Sequence, residues 1–232
     1  AMSEQFDRLP FEQLFAPALH YARDGFAVSP TIAGLWKTGA AKLKDQPGFA
    51  DHFMPGGRAP AAGETFRNPD LARTLEAIAE TRGRAFYQGA LAAAIAAEAA
   101  RHGAVLTEDD LAAHSADWCG TISMDFAGVD LHEIPPNGQG IAALMALGIL
   151  RHTAIADHAP DSAAAFHLQI EAVKLALADV ARFVSDPATM TTPQQALLDP
   201  GYLRDRATKI DADTAGDPGA GAPTAGGTVY LT

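Results

Sequence analysis

Cysteine is almost missing from this sequence, in which Cys119 is the only one among 232 residues. A single cysteine excludes an internal disulfide and a zinc site built from several cysteines. Cysteine use therefore leaves the compartment open, and both a cytoplasmic and a periplasmic parent protein fit the sequence. The histidines are not spaced as HExxH or as another metal-ligand pattern. We predict that the chain holds no metal.

Positive charge and long apolar runs are also scarce. Lys and Arg number 17 against 28 Asp and Glu, which gives a net charge of -11 and a pI near 5.0. An acidic surface repels phosphate backbones, so we predict no nucleic-acid partner. The apolar runs are too short to span a bilayer, and no basic amphipathic stretch indicates a membrane surface. We therefore predict no membrane partner either.

Motifs of nucleotide-binding and serine-hydrolase sites are missing as well. Gly138-Gln139-Gly140 lacks the lysine of a P-loop and the spacing of GxGxxG. We favour a tight turn from strand to helix there over a phosphate cradle. No GxSxG occurs, although a Ser/His/Asp triad assembled from distant residues stays open.

What the sequence does contain predicts an α+β fold that is predominantly α-helical. Alanine is abundant, which favours helix. Trp118–Phe126 alternates between apolar and polar residues, and Ala127-Gly128 offers a turn into a second strand, so one β-hairpin is predicted over 118–134. Pro135-Pro136 ends it, and an apolar helix follows from Ile141.

Other helices are predicted from their start signals. Ser29-Pro30 and Asn68-Pro69 place a capping residue before a proline, and Thr107 to Asp110 fits a capping box. Residues 85–102 read as one alanine-rich helix. Residues 45–64, rich in Gly and Pro, read as a long loop.

The longest helical pattern covers 162–184. Six apolar residues form one stripe along it: Phe166, Ile170, Val173, Leu177, Val180 and Val184. Glu171, Lys174 and Asp179 are predicted to lie on a solvated face. This helix gives an alternative function, in which the chain is a non-catalytic α-helical interaction domain that binds a partner through 162–184.

The last residues change in character. Residues 211–227 have no large apolar side chain and are predicted to be a flexible linker, and 228–232 read as the start of a strand whose abrupt stop suggests truncation. If the Gly227–Thr228 bond were cut, Thr228 would have a free α-amine beside its hydroxyl. With a pKa near 8, that amine is able to act as base for the hydroxyl. On these residues alone, an ordinary linker stays the alternative.

Six segments, in this order, resemble the γ-glutamyltransferase (γ-glutamyltranspeptidase) family, including its cephalosporin-acylase-like bacterial members. They cover nearly all of the chain: LPFEQLFAPALHYARDGFAVS, NPDLARTLEAIAETRGRAFYQGALAAAI, GAVLTEDDLAAHSADW, GVDLHEIPPNGQGIAALMALGIL, FHLQIEAVKLALADVARFVSDP and GGTVYLT. The PPNGQG turn at 135–140 looks more like the acylase-like branch.

The resemblance implies a precursor of the N-terminal-nucleophile hydrolase class, with an αββα fold, that cuts itself into a large and a small subunit. By position, Gly227–Thr228 is the bond cut and Thr228 the catalytic nucleophile. Residues 3–210 would then be a helical large-subunit region, 211–227 the linker before the processing site, and 228–232 the first strand of the small subunit.

The resemblance also implies a substrate and partners. The parent enzyme would transfer or hydrolyse γ-glutamyl or related acyl groups through an acyl-threonine, with a small molecule such as glutathione as donor and no cofactor. The chain's partner would be the small-subunit portion of the same precursor. We expect the fragment alone to be inactive and to expose apolar surface, which favours self-association.

Overall fold

The computed structural model describes residues 1–223, which divide into two compact units, Ala1–Ala116 and the part of the chain from Asp117 onward. In the first unit the α-helices are α1 (Met2–Phe6), α2 (Ala16–Asp24), α3 (Pro30–Leu43), α4 (Phe49–Phe53), α5 (Pro69–Glu80), α6 (Arg84–Tyr87), α7 (Ala90–Arg101) and α8 (Glu108–Ala113). Short 3-10 helices cover Phe11–Phe15 and Pro55–Gly57.

The capping predictions in this unit are confirmed. Ser29 Oγ accepts a hydrogen bond from the N–H of Ile32 at 3.3 Å, and Asn68 Oδ1 accepts one from Leu71 at 2.9 Å. Thr107 and Asp110 form both halves of the capping box. Side-chain oxygens satisfy first-turn N–H groups that have no partner within the helix, which is why these starts are readable from sequence.

Two predictions in this unit are wrong. Residues 85–102 are not one helix, because Gly89 has a φ of +89° and separates α6 from α7. The stretch 45–64 is not a plain loop, since it contains α4 and a 3-10 turn. Aromatic packing supplies the reason: the Trp36 and Phe53 rings are 6.4 Å apart, and Trp36 Nε1 donates to the carbonyl of Phe53 at 3.0 Å.

The first unit also has a small sheet that the sequence analysis missed. Strands β1 (Phe26–Ala27) and β2 (Thr65–Phe66) pair antiparallel. Gly25 precedes β1 with a φ of +91°, and a Cβ there would lie 2.7 Å from the carbonyl oxygen of Phe66. Two-residue strands are too short to produce a readable alternation.

The second unit begins with the predicted hairpin. Strands β3 (Ile122–Phe126) and β4 (Val129–Glu133) pair antiparallel, with Phe126 opposite Val129. Ala127 and Gly128 both have positive φ, 54° and 82°, as a tight two-residue hairpin turn requires. The strand begins later than predicted because Gly120, with a φ of +70°, interrupts the alternation.

Up to residue 223, four α-helices follow in the second unit: α9 (Ile141–Leu150), α10 (Ala163–Phe183), α11 (Gln194–Leu197) and α12 (Pro200–Ala207), with a 3-10 turn at Ile155–Asp157. Helix α9 is the centre of the core, since Ile141, Leu144, Met145 and Ile149 are fully buried. It packs against α10, α12 and the hairpin. An apolar helix of this kind has no polar face to present to water.

The predicted orientation of α10 is wrong. Its buried side is made largely of Leu168, Ala172, Leu175 and Ala176, which pack toward α9. Most of the predicted apolar stripe lies outside, with Phe166 50% and Ile170 57% exposed. Helix α10 has two apolar sides. The side that carries the alanines packs on α9, because small side chains let the two helices approach closely.

Within the described residues, no helix combines the length and hydropathy needed to cross a bilayer.

Candidate functional site

The predicted cleavage bond and nucleophile, Gly227 and Thr228, lie outside the described residues. The described segment that leads toward them is 211–223, here called the tail. It contains neither helix nor strand. Its backbone is nevertheless hydrogen bonded along its length to side chains of α10 and α12, so the site is built from these contacts. The flexibility of 211–227 stays a prediction.

The tail starts with a local turn and then follows α10. Asp211 Oδ1 accepts hydrogen bonds from the N–H groups of Asp213 at 2.8 Å and Thr214 at 2.9 Å. His167 Nε2 donates to the carbonyl of Asp211 at 2.7 Å, which requires the proton on that nitrogen. This pair fixes the beginning of the tail on the first half of α10.

One turn further along α10, Glu171 and Lys174 hold Gly216. Glu171 Oε2 accepts from the N–H of Gly216 at 3.1 Å, and Lys174 Nζ donates to the Gly216 carbonyl. Lys174 also donates to Glu171 Oε1 at 2.8 Å. The hydrogen bond from Lys174 is the main cause of a lowered pKa of Glu171, which burial opposes and the Gly216 N–H assists. Glu171 is therefore held as an anion.

Further along the tail, the backbone is held by a cluster of Asp179, Tyr202 and Arg206, called the clamp below, in which Asp179 and Arg206 are buried and Tyr202 is half-buried. Asp179 Oδ1 accepts from the N–H of Gly221 at 2.7 Å, and Oδ2 accepts from the Tyr202 hydroxyl at 2.8 Å. Arg206 Nη2 donates to two carbonyl oxygens, Leu175 at 3.1 Å and Gly219 at 3.0 Å. The clamp thus holds the tail at two glycines.

Charge inside the clamp is paired. Asp179 is 0% and Arg206 6% exposed. Arg206 Nε lies 3.0 Å from Asp179 Oδ2, but its N–H is not directed at that oxygen, so the contact is Coulombic and not a hydrogen bond. Burial, and then the hydrogen bond to Asp179, raises the pKa of Tyr202 well above its ordinary value, which keeps the hydroxyl protonated as a donor.

These positions follow from helical spacing. Glu171, Leu175 and Asp179 are four residues apart on α10, and Tyr202 and Arg206 are four apart on α12, so each set lies on one face. Asp199 sets the start of α12 by accepting from the N–H of Tyr202 at 2.8 Å. The prediction that Glu171 and Asp179 are solvated is wrong, because both are buried against the tail. No sequence signal identified this burial, because the glycines that these two carboxylates bind lie more than 40 residues later in the chain.

The turn at 135–140 connects β4 to α9, as the favoured interpretation predicts. The Glu133 carboxyl group lies against Gly140, where a Cβ would be 2.9 Å from Glu133 Cδ. A carboxylate fits the positive end of a helix dipole and repels a phosphate from the same place. Across residues 1–223, no group of three or more His, Cys, Asp or Glu side chains is placed to hold a metal.

The chain as a whole is similar to proteins of a known family. The model of the gamma-glutamyltranspeptidase family matches residues 1–232. The chain is 33% identical over 210 residues to the glutathione hydrolase-like YwrD proenzyme of Bacillus subtilis, covering 90% of this chain and 40% of that protein. It is 34% identical over 223 residues to the oxamate amidohydrolase proenzyme of Klebsiella pneumoniae, covering 96% and 42%.

Solved structures agree with the sequence comparison. Cephalosporin acylase from Bacillus halodurans superimposes with a TM-score of 0.88 at 40% identity, over 96% of this chain and 42% of that one. The chain therefore spans about two fifths of the length of these relatives. The match over the whole sequence shows that the chain belongs to the γ-glutamyltranspeptidase family.

Proposed function

We propose that this chain is the large-subunit part, with the first small-subunit residues, of a precursor that cuts itself at Gly227–Thr228. After the cut, Thr228 would transfer or hydrolyse γ-glutamyl or related acyl groups. The observation that carries the proposal is the family match over residues 1–232, which includes both residues of that bond. Two relatives are named as proenzymes, which supports maturation by cleavage.

Maturation starts from the Thr228 hydroxyl. Its oxygen attacks the Gly227 carbonyl carbon, the C–N bond breaks, and the nitrogen takes up the hydroxyl proton and leaves as the free α-amine of Thr228. The Gly227 acyl group is then an ester on the threonine oxygen. Water hydrolyses this ester, which releases the Gly227 carboxylate and restores the hydroxyl.

Catalysis uses the amine that maturation creates. An α-amine has a pKa near 8, so a fraction is neutral at physiological pH and accepts the proton of the Thr228 hydroxyl. The oxygen attacks the acyl carbonyl of the donor, the donor's amine leaves with a proton, and an acyl-threonine forms. Water or an acceptor amine then removes the acyl group. No cofactor takes part in these steps.

The substrate class follows from the names of the relatives. They are a glutathione hydrolase-like protein, an oxamate amidohydrolase and a cephalosporin acylase. Glutathione contains a γ-glutamyl amide, and oxamate is itself an amide, so the proposed donor is an acyl group bound to nitrogen. A γ-glutamyl amide such as glutathione is the first donor to test.

The proposal includes the αββα arrangement of the N-terminal-nucleophile class and the inactivity of residues 1–232 alone. Attack on a carbonyl needs hydrogen-bond donors placed for the oxyanion. Since the chain spans about two fifths of its relatives, we expect those donors from the rest of the enzyme. A chain of residues 1–232 should therefore keep its full mass, and a product that ends at Gly227 would contradict this.

The alternative function, a non-catalytic domain that binds through 162–184, has one observation in its favour. The exposed side of α10 carries Phe166 and Ile170 at 50% and 57% exposure. Such a surface is also expected where one part of an enzyme packs on another. The exposed surface thus fits both functions, and membership in a family of enzymes favours the enzyme over the non-catalytic domain.

The deciding experiment uses the complete precursor with Thr228→Ala and, as a matched control, Thr228→Ser. The wild type should give two bands on a denaturing gel, a new N-terminus at Thr228, and hydrolysis of a γ-glutamyl anilide. Thr228→Ala should give one band and no activity, whereas Thr228→Ser keeps a hydroxyl and should still cleave. Activity that survives in Thr228→Ala would overturn the proposal.

A further inference from the structure

We propose that the clamp residues Asp179, Tyr202 and Arg206 are positioning residues for self-cleavage, because they fix the chain that leads into the Gly227–Thr228 bond. This inference rests on the proposed function. None of the three acts on the bond directly. Their effect passes through the backbone of Gly219 and Gly221, which they hold by hydrogen bonds.

The burial of two opposite charges is the first reason. Asp179 and Arg206 are 0% and 6% exposed, and an ion pair at such a place contributes little net stability compared with apolar side chains of similar size. Packing alone therefore does not account for the clamp. The pair does provide polar groups directed at the tail: Asp179 Oδ1 toward the Gly221 N–H, and Arg206 Nη2 toward the Gly219 carbonyl.

The shape of the tail at Gly221 is the second reason. A Cβ at this position would overlap the Tyr202 hydroxyl and lie 2.9 Å from Arg206 Cδ. Only glycine allows the backbone so close to both side chains. At Gly219, two residues earlier, a Cβ would meet nothing within 4 Å. The close fit is therefore specific to Gly221, and Gly219 offers a matched control.

The third reason is the path of the tail along α10. His167, Glu171, Lys174 and Asp179 contact Asp211, Gly216 and Gly221 in the same order along both segments. Gly227 is the sixth residue after Gly221. A short segment tethered at a fixed point has fewer conformations than a long free one, so less entropy is lost when its far end enters a reactive geometry.

A purely structural clamp makes a different prediction. If the cluster only joins α10 to α12, its variants will lower stability without slowing cleavage in the molecules that remain folded. The experiment therefore measures cleavage rate and stability separately. The complete precursor is made in a cell-free system, and the ratio of cut to uncut chain is followed over time on denaturing gels. Stability of each variant is measured in the uncut Thr228→Ala background.

Two pairs of variants are compared. Gly221→Ala should slow cleavage about tenfold or more, since small misplacements of reacting groups have effects of this size or larger, whereas Gly219→Ala should stay within about twofold. Asp179→Asn, which keeps the shape but not the charge, should also be slow. Asp205→Asn removes the same charge from an exposed position on α12 and should cleave normally.

A further readout separates positioning from catalysis. After long incubation, the cut Gly221→Ala enzyme should show wild-type activity per cut molecule, because the tail is no longer joined to Thr228. Cleavage of Gly221→Ala at the wild-type rate would overturn the inference while the proposed function stands. So would slow cleavage that is fully explained by a smaller folded fraction. A wild-type precursor that never cuts would overturn both.

Discussion

At the scale of single residues, the buried charges of the second unit are the most informative feature. Asp179 has each carboxylate oxygen committed: one to the Gly221 N–H, the other to Tyr202 and Arg206. A carboxylate that is buried away from water is costly unless it is paired and hydrogen bonded, and these contacts meet that requirement. The same geometry makes Asp179 a position where a small substitution should have a large effect on stability.

Asp179→Ala is expected to lower the free energy of unfolding by about 3–5 kcal/mol, because the Arg206 guanidinium would stay buried without its counter-ion. Urea denaturation followed by circular dichroism measures the change. Asp205→Ala, at an exposed position on the same unit, is the control and should change the free energy by less than about 0.5 kcal/mol. Equal effects of the two variants would contradict the buried pairing.

Glu171 gives a prediction on acid stability. Its pKa is lowered in the folded chain from an ordinary 4.5, chiefly by the hydrogen bond from Lys174. A lowered folded pKa contributes stability that is present above the unfolded pKa and is lost as pH falls through the folded value. Below about pH 4.5 the wild type should therefore lose stability more steeply than Glu171→Gln, in denaturation series at several pH values. Parallel pH curves would argue against the prediction, and Asp205→Asn serves as the control for removal of an exposed charge.

Residues whose role is local were predictable from the sequence. Ser29, Asn68 and Thr107 cap helices as predicted, because a cap depends on only the next few residues. The burial of Glu171 and Asp179 was not predictable in this way, since several of the groups that bury them lie 23 to 45 residues later in the chain. The charge of these side chains predicted exposure to solvent, and only their tertiary contacts make burial favourable.

At the scale of elements, α9 shows how closely the core is packed. A Cβ on Gly148 would overlap the Leu203 side chain and lie 3.2 Å from Met124 Cε, so glycine lets both α12 and the hairpin approach the helix. Glycine normally weakens a helix relative to alanine. Its presence here is accounted for by this close approach.

Gly148→Ala should therefore destabilise the chain by about 1–3 kcal/mol, as expected when a methyl group is forced into a filled core. The matched control is Gly39→Ala in α3, where a Cβ would meet nothing within 4 Å. That change should be neutral or stabilising by about 0.5–1 kcal/mol. Thermal unfolding of both variants tests the pair, and a stabilising Gly148→Ala would refute the close packing.

Secondary-structure elements were predictable where the sequence signals agreed with one another. The hairpin and the turn into α9 followed from alternation, a turn pair and two prolines. The side of α10 that packs inward could not be predicted in this way. Large apolar residues favoured the face that is in fact exposed, and the alanines of the buried face gave only a weak signal. Burial was decided by the neighbour, α9, and a helical period cannot identify a neighbour.

At the scale of the whole molecule, the chain divides into two compact units and spans about two fifths of the length of its relatives. The family was readable from six ordered segments, and the match over residues 1–232 confirms it. The clamp was not readable in the same way, because no short motif contains it: its three residues are spread over α10 and α12, and its ligands are backbone groups of the tail.

The exposed side of α10 leads to a prediction about assembly. Phe166, Ile170, Val173 and Leu177 are 44–57% exposed, and they follow one another at helical spacing. A contiguous apolar patch favours association. The chain of residues 1–232 should therefore show concentration-dependent self-association in sedimentation experiments, and Ile170→Glu should shift it toward monomer.

Val105→Glu is the control, because Val105 is 91% exposed but lies outside that patch. It adds the same charge and should leave the distribution of species unchanged. If both substitutions shift the equilibrium equally, net charge and not the α10 patch governs association.

On α10, large apolar side chains are exposed and two carboxylates are buried. This arrangement has a practical consequence for crystallographers. Surface-entropy reduction, in which Lys and Glu are exchanged for Ala to promote crystallisation, would select Glu171 and Lys174 on sequence alone. Both of these side chains bind the backbone of Gly216, so the two substitutions would release the tail from α10 and would not merely change an exposed surface.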